Sequence, residues 1–222
     1  MLIVLEGLDG AGKSTQVKLL RNYITASGRR LEYIHFPRYE SSAYGELIAK
    51  FLSGEFGSNE QVHPQLVALL FALDRADAAS IIRKWLDEGC CVLLDRYVYS
   101  NIAYQCSKIK DELKRAELMD WIFKMEYEVY GIPKPDINLF LDVPIDFVEN
   151  SLKSQRSGDD RDYLHGHADI HEENIEFQKN VRGIYLEQCR RDPDFIRIDC
   201  SDESGRMASP DVIFNRIKEH IR

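Results

Sequence analysis

The sequence has no surplus of positive charge: 29 Lys and Arg face 37 Asp and Glu, a formal net charge of −8 at pH 7. A nucleic-acid-binding surface needs the opposite balance. Any phosphate chemistry must therefore gather its basic side chains locally, against the average field of the molecule. Cysteine is sparse as well. Cys90, Cys91, Cys106, Cys189 and Cys200 form no CxxC pair and no regular spacing. That excludes a disulfide framework and leaves reduced core or surface thiols. No apolar run approaches the roughly 20 residues of a membrane helix. The opening Met1-Leu-Ile-Val-Leu5 is short and lacks the basic start of a signal peptide, so it reads as a strand and the protein as cytoplasmic. There is no internal repeat and no low-complexity segment.

What remains is the profile of a globular protein, 44% hydrophobic and 30% charged. A chain of 222 residues suits one domain spanning 1–222. Short apolar runs at 2–5, 31–36, 91–95, 137–142 and 195–199 read as strands covered on both faces. Between them lie helical patterns at 13–27 and 64–88, each stopped by a glycine, and at 111–130, 145–153, 170–191 and 210–221. This alternation predicts an α/β fold, a three-layer αβα sandwich with a five-stranded parallel sheet and helices on both faces. In such sheets ligands bind beyond the carboxyl ends of the strands. The polar, Gly-containing stretch at about 154–171 reads as a lid inside the domain and not as a linker.

Gly7-Leu-Asp-Gly-Ala-Gly-Lys-Ser14 matches G-x-x-x-x-G-K-[ST] between a predicted strand and a predicted helix. Backbone N–H groups across Gly7, Leu8, Asp9, Gly10, Ala11, Gly12, Lys13, Ser14 and Thr15 can cradle the phosphates of ATP, helped by the helix N-terminus. Lys13 would reach the β- and γ-phosphates, and the Ser14 hydroxyl would ligate Mg²⁺. This is the P-loop of nucleoside triphosphatases and kinases, and it says nothing of the acceptor.

Candidate acceptor residues lie at the same predicted sheet edge. Phe36-Pro-Arg38 closes the second strand, with Arg38 aimed into the crevice. Asp95-Arg96 closes the third: Asp95 could hold Mg²⁺ or its waters, and Arg96 could grip a phosphate. An Asp-Arg pair alone reads equally as an ion pair or a helix cap. Phe71 and Arg75 share a helix face, an aromatic plate beside a guanidinium that could stack a base and bond its carbonyl. Asn101, Tyr104 and Gln105 offer amide and phenol groups on another helix face. Each set taken alone is also an ordinary amphipathic helix.

Together and in order, these residues resemble the thymidylate kinase family. The residues that carry the resemblance are Leu5-Glu-Gly-Leu-Asp-Gly-Ala-Gly-Lys-Ser-Thr-Gln16, Phe36-Pro-Arg38, Leu70-Phe-Ala-Leu-Asp-Arg75, Asp95-Arg-Tyr97 with Ser100-Asn-Ile-Ala-Tyr-Gln105, and Gly131-Ile-Pro-Lys-Pro-Asp136. The resemblance runs to about Gln188. It implies transfer of a phosphoryl group from ATP, with Mg²⁺, to dTMP, in a homodimer. It implies that Arg38 and Arg96 bind the dTMP phosphate and that Asp9 contacts the sugar 3′-hydroxyl. Phe71 would stack on thymine, Arg75 would donate to O4, Asn101 would meet the base edge, and Tyr104 would leave no room for a ribose 2′-hydroxyl. Family members that carry an arginine in the P-loop need less from the lid. Position 10 is glycine here, so Arg156 and Arg161 in the lid become the candidate catalytic cations beside Lys13 and Arg96, although Asp159, Asp160 and Asp162 surround them. A tyrosine common after the lid is replaced by His171.

Rival readings are another P-loop nucleoside or nucleotide kinase, a nucleotide switch without catalysis, and a zinc site at His165, His167, Asp169, His171 and Glu172. A switch has no use for Arg38 and Arg96 together as an acceptor clamp.

Overall fold

The structure is a computed structural model that describes residues 1–40, 42–153 and 175–221. Five strands, β1 (Leu2–Gly7), β2 (Leu31–His35), β3 (Cys91–Asp95), β4 (Ile137–Asp142) and β5 (Phe195–Asp199), form one sheet in the order β2-β3-β1-β4-β5. Every pairing is parallel. β1 and β3, in the middle of the sheet, are buried along their whole length, which is why they read as unbroken apolar runs; β2, at the edge, is only partly covered. The helices among the described residues are α1 (Lys13–Ala26), α2 (Ala43–Leu52), α3 (Pro64–Asp87), α4 (Val98–Cys106), α5 (Glu112–Phe123), α6 (Ile145–Lys153), α7 (Ile175–Arg191) and α8 (Pro210–Lys218).

Strand positions and most helices follow the sequence expectation. The long helix expected at 111–130 is instead α5 followed by a π-helical turn, Lys124–Val129. Helix α2 had not been foreseen. Ser42 starts it, accepting a hydrogen bond from Gly45 N at 2.9 Å, and its apolar side (Ile48, Phe51, Leu52) forms a second small core with Val67 of α3. The main core fills the space around the sheet. Among the described residues no helix is long and apolar enough to cross a membrane.

The sheet order sets the site. After β1 the chain turns to the β3–β2 side, then crosses back to β4 and β5, so the switch point lies between β1 and β3. In the register, Leu5 pairs with Asp95. The loop after β1 and the loop after β3 therefore emerge side by side.

Candidate active site

The loop after β1 is shaped by Gly10 and Gly12, both at φ +74°, a left-handed conformation that a side chain would oppose. Leu8 and Ala11 turn their side chains into the core, so they serve the loop through their backbone. Gly12 is the N-cap of α1, and the Lys13 ammonium folds back over the loop to donate to Leu8 O at 2.9 Å. Burial, with Arg96 close by, brings the Lys13 ammonium down to about 8. Ser14 and Thr15 are exposed on the first turn of the helix.

Arg96 connects this loop to the rest of the site. Its φ of 68° is the one left-handed value outside glycine among the described residues, a strain of about 1–2 kcal/mol. It is held there from both ends. Its backbone N–H donates to Leu5 O at 2.9 Å, and its guanidinium donates to Gly7 O at 2.9 Å, Ser100 Oγ at 3.2 Å and Asp9 Oδ1 at 2.5 Å. Asp9 Oδ2 in turn accepts from the Tyr104 hydroxyl at 2.7 Å and from Gln178 Nε2 at 3.1 Å. The Arg96 guanidinium also lies 5.1 Å from the centre of the Tyr104 ring. One network thus joins the loop after β1, the loop after β3, α4 and α7.

Helix α4 has no capping side chain of its own. Glu6, fully buried at the end of β1, supplies the cap: its Oε1 accepts from Tyr97 N at 2.9 Å and Ser100 N at 3.1 Å. Its Oε2 accepts from the hydroxyls of Ser100 and Tyr185. Burial pushes the Glu6 carboxyl up, against the pull of Ser100 and Arg96.

Arg38 sits after β2, where Phe36 N donates to Asp95 O at 3.0 Å. Its hydrogen bonds all run to α3: Nε to Asp74 Oδ1 at 3.0 Å, Nη2 to Asp74 O at 2.8 Å and to Asp77 Oδ2 at 2.7 Å. Asp74 is buried and also accepts from Arg38 N and Ser42 Oγ. Arg38 is thus not bonded to the loop at 7–14, whereas Arg96 is. Phe71 is half-buried against the second core. Arg75 is fully buried, donating through Nε and Nη2 to Glu126 at 2.5 and 2.7 Å. Asn101 Nδ2 donates to Ala68 O at 3.0 Å and Glu126 Oε1 at 2.9 Å. Gln105 is buried, and its Oε1 accepts no hydrogen bond from the described residues.

A family profile described as Thymidylate kinase matches residues 5–208. The chain belongs to the thymidylate kinase family. It is 34% identical over 188 residues to a thymidylate kinase of Mycobacterium tuberculosis, covering 84% of this chain and 85% of that one. It is 31% identical over 220 residues to a thymidylate kinase of Arabidopsis thaliana, covering 98% of this chain and 72% of the other. A solved thymidylate kinase from Candida albicans superposes with a TM-score of 0.71 at 30% identity, covering 99% of this chain and 90% of that structure.

For a member of the thymidylate kinase family, the residues missed by sequence reading are the partners: Glu6, Asp74, Glu126 and Gln178. Glu6 and Asp74 lie inside the segments that carry the family resemblance, but nothing in their spacing says which group each one holds. Arg156, Arg161 and the histidines considered for zinc lie outside the described residues. Among the described residues no group of three or more His, Cys, Asp or Glu could hold a metal. The oxygen donors Ser14 and Asp95 do fit a hard cation such as Mg²⁺. Asp95 Oδ1 is buried and accepts no hydrogen bond from the described residues, while His35 Nδ1 lies 3.4 Å from Oδ2. Burial pushes the Asp95 carboxyl up, but His35, Lys13 and Arg96 outweigh it and hold it below the usual carboxylate range.

Proposed function

We propose that the chain transfers the γ-phosphoryl group of ATP to dTMP, giving ADP and dTDP, at the crevice between β1 and β3. The observation that carries this reading is the Arg96–Asp9–Tyr104 network, which ties an acceptor-side helix directly onto the donor loop. Two mutually repelling anions have to be aligned here, and the acceptor phosphate is already a nucleophile, so no general base is required.

Backbone N–H groups of residues 7–15 hold the ATP phosphates, and Lys13 leaves Leu8 O to reach the β- and γ-phosphates. Mg²⁺ accompanying the ATP would be held by Ser14 and Asp95, directly or through water, and would neutralise charge on the transferring group. Arg96 exchanges its bond to Asp9 for the acceptor phosphate, which leaves Asp9 to receive the sugar 3′-hydroxyl. Arg38 grips the same phosphate from its seat on Asp74. Phe71 stacks on the base, Arg75 and Asn101 read its edge, Tyr104 excludes a ribose 2′-hydroxyl, and Gln105 with Phe36 lines the pocket. Arg156 and Arg161, outside the described residues, would add positive charge for the γ-phosphoryl in transfer. The reading extends to a cytoplasmic homodimer, supported by family membership. Sedimentation equilibrium should give twice the 25.7 kDa chain mass, and a monomer at micromolar concentration would remove the dimer from the reading.

The deciding experiment is coupled ADP release from ATP with dTMP, dUMP, dCMP, dGMP and dAMP in parallel. Turnover should be highest with dTMP. ADP release that does not respond to any monophosphate would point to a hydrolase or switch instead.

A further inference from the structure

The base-reading end of the acceptor side is organised by a residue that no sequence motif includes. Glu126 lies on the π-helical turn, is fully buried, and is bonded to both Arg75 and Asn101. π-turns are uncommon and concentrate at functional sites. A carboxylate can only accept hydrogen bonds, and Ala68 O, the other neighbour of Asn101, is also only an acceptor. The Asn101 amide therefore has a single chemically allowed orientation, with Nδ2 toward Glu126 and Ala68. Its Oδ1 is turned away from both. That oxygen belongs to a side chain 97% buried (3% exposed) and has no hydrogen-bond partner among the described residues. A buried acceptor left unpaired is destabilising unless a ligand or a water donates to it. Arg75 is constrained in the same way: Glu126 occupies Nε and Nη2, so Nη1 is the nitrogen left to donate elsewhere.

We infer that Glu126 is a specificity-setting positioning residue: given dTMP as the acceptor, it fixes an acceptor (Asn101 Oδ1) beside a donor (Arg75 Nη1), the complement of the N3–H and O4 edge of a 4-keto pyrimidine. Cytosine presents the reverse pattern on that edge, an N3 acceptor and an N4 amino donor. A dCMP base placed there would set acceptor against acceptor and donor against donor. Discrimination of this kind, between paired and unpaired buried polar groups, is much larger than discrimination by a methyl group. Uracil carries the same edge as thymine, so Glu126 separates keto from amino pyrimidines and does not separate dTMP from dUMP. With Glu126 accounting for most of Arg75's charge, the site also offers a near-neutral surface to a neutral base.

The test replaces the carboxylate with an amide of the same shape, since alanine would strand Arg75 buried and uncompensated. In Glu126→Gln the charged acceptor is gone and only Ala68 O still holds Nδ2, so the Asn101 amide is no longer confined to one orientation. The expected result is a dTMP-over-dCMP ratio of kcat/KM lowered at least about tenfold, through a higher KM for dTMP and a lower one for dCMP. The dTMP-over-dUMP ratio and the KM for ATP should stay within about twofold. A folded Glu126→Gln protein with an unchanged dTMP-over-dCMP ratio overturns the role. An equal loss on all three pyrimidines also overturns it, because that marks a purely structural residue. Should Glu126→Gln fail to fold, Asn101→Ala carries the test: it leaves the Arg75–Glu126 pair intact and should lower the same ratio by a similar factor. An unchanged ratio there shows that the Asn101 oxygen is not read. A native protein without dTMP kinase activity would instead sink the underlying functional reading, and the two failures are told apart by the native assay.

Discussion

The donor loop and the acceptor side are built on different principles. Residues 7–15 form a contiguous stretch shaped by two left-handed glycines and the start of α1, and the function proposed for it rests mostly on backbone N–H groups. The acceptor side collects side chains from the end of β2, from α3, from the loop after β3 and from α4. Each of its cations rests on an acid from elsewhere in the chain: Arg38 on Asp74, Arg96 on Asp9, and Arg75 on Glu126. A backbone cradle needs only local conformation. A side-chain pocket for an anion and a neutral base needs its charges held and partly neutralised before the substrate arrives, and long-range partners do this.

Arg96 belongs to both regions, so its removal gives the largest expected effect. Arg96→Ala should lower kcat by about 10³-fold or more, with a cooperative melt retained. Near-native turnover in that variant would separate the two regions and remove Arg96 from the site. The next test asks whether the acceptor side depends on its buried acids. Asp74→Asn should raise the KM for dTMP by about 10- to 100-fold, because Arg38 loses the carboxylate that orients it, while the KM for ATP stays within about twofold. Equal increases for both substrates would mean that the regions are not independent.

The smallest expected effect concerns the exception to the pairing pattern. Lys108, just beyond α4, has its ammonium buried with no hydrogen-bond partner among the described residues, 5.1 Å from the centre of the Phe51 ring. Burial brings it down to about 7. Its folded value lies below the unfolded one, so the unfolded chain binds the extra proton between pH 7 and about 10.4. The penalty for burying the charge is therefore complete below pH 7 and is relieved as pH rises toward 10. Lys108→Met should stabilise the protein by about 1 kcal/mol at pH 6, with the gain shrinking at pH 9 to 10. Thermal melts across pH check this, and a constant difference would mean that the Phe51 ring alone compensates the cation.

Legibility in the sequence divides along the same line. The strand, turn and helix around residues 7–14 could be read directly, because glycine spacing and the flanking strand and helix are local signals. Helical spacing correctly placed Phe71 with Arg75, and Asn101 with Tyr104 and Gln105, on shared helix faces. It could not say that the Arg75 guanidinium turns to Glu126, 51 positions away, or that Glu6 caps α4 across 91 positions. Helix α2 also escaped notice, since its apolar side is short and finds its partner, Val67, only on α3.

By itself the sequence determined the parallel α/β sheet and the glycine-shaped turn between its first strand and first helix, because hydrophobic period and backbone freedom act over a few residues. Only the tertiary structure decided which acid holds which cation and which way the Asn101 amide faces. Those choices depend on groups dozens of residues apart meeting in a low-dielectric interior, where each buried charge or amide must find a partner and the fold decides which one is within reach.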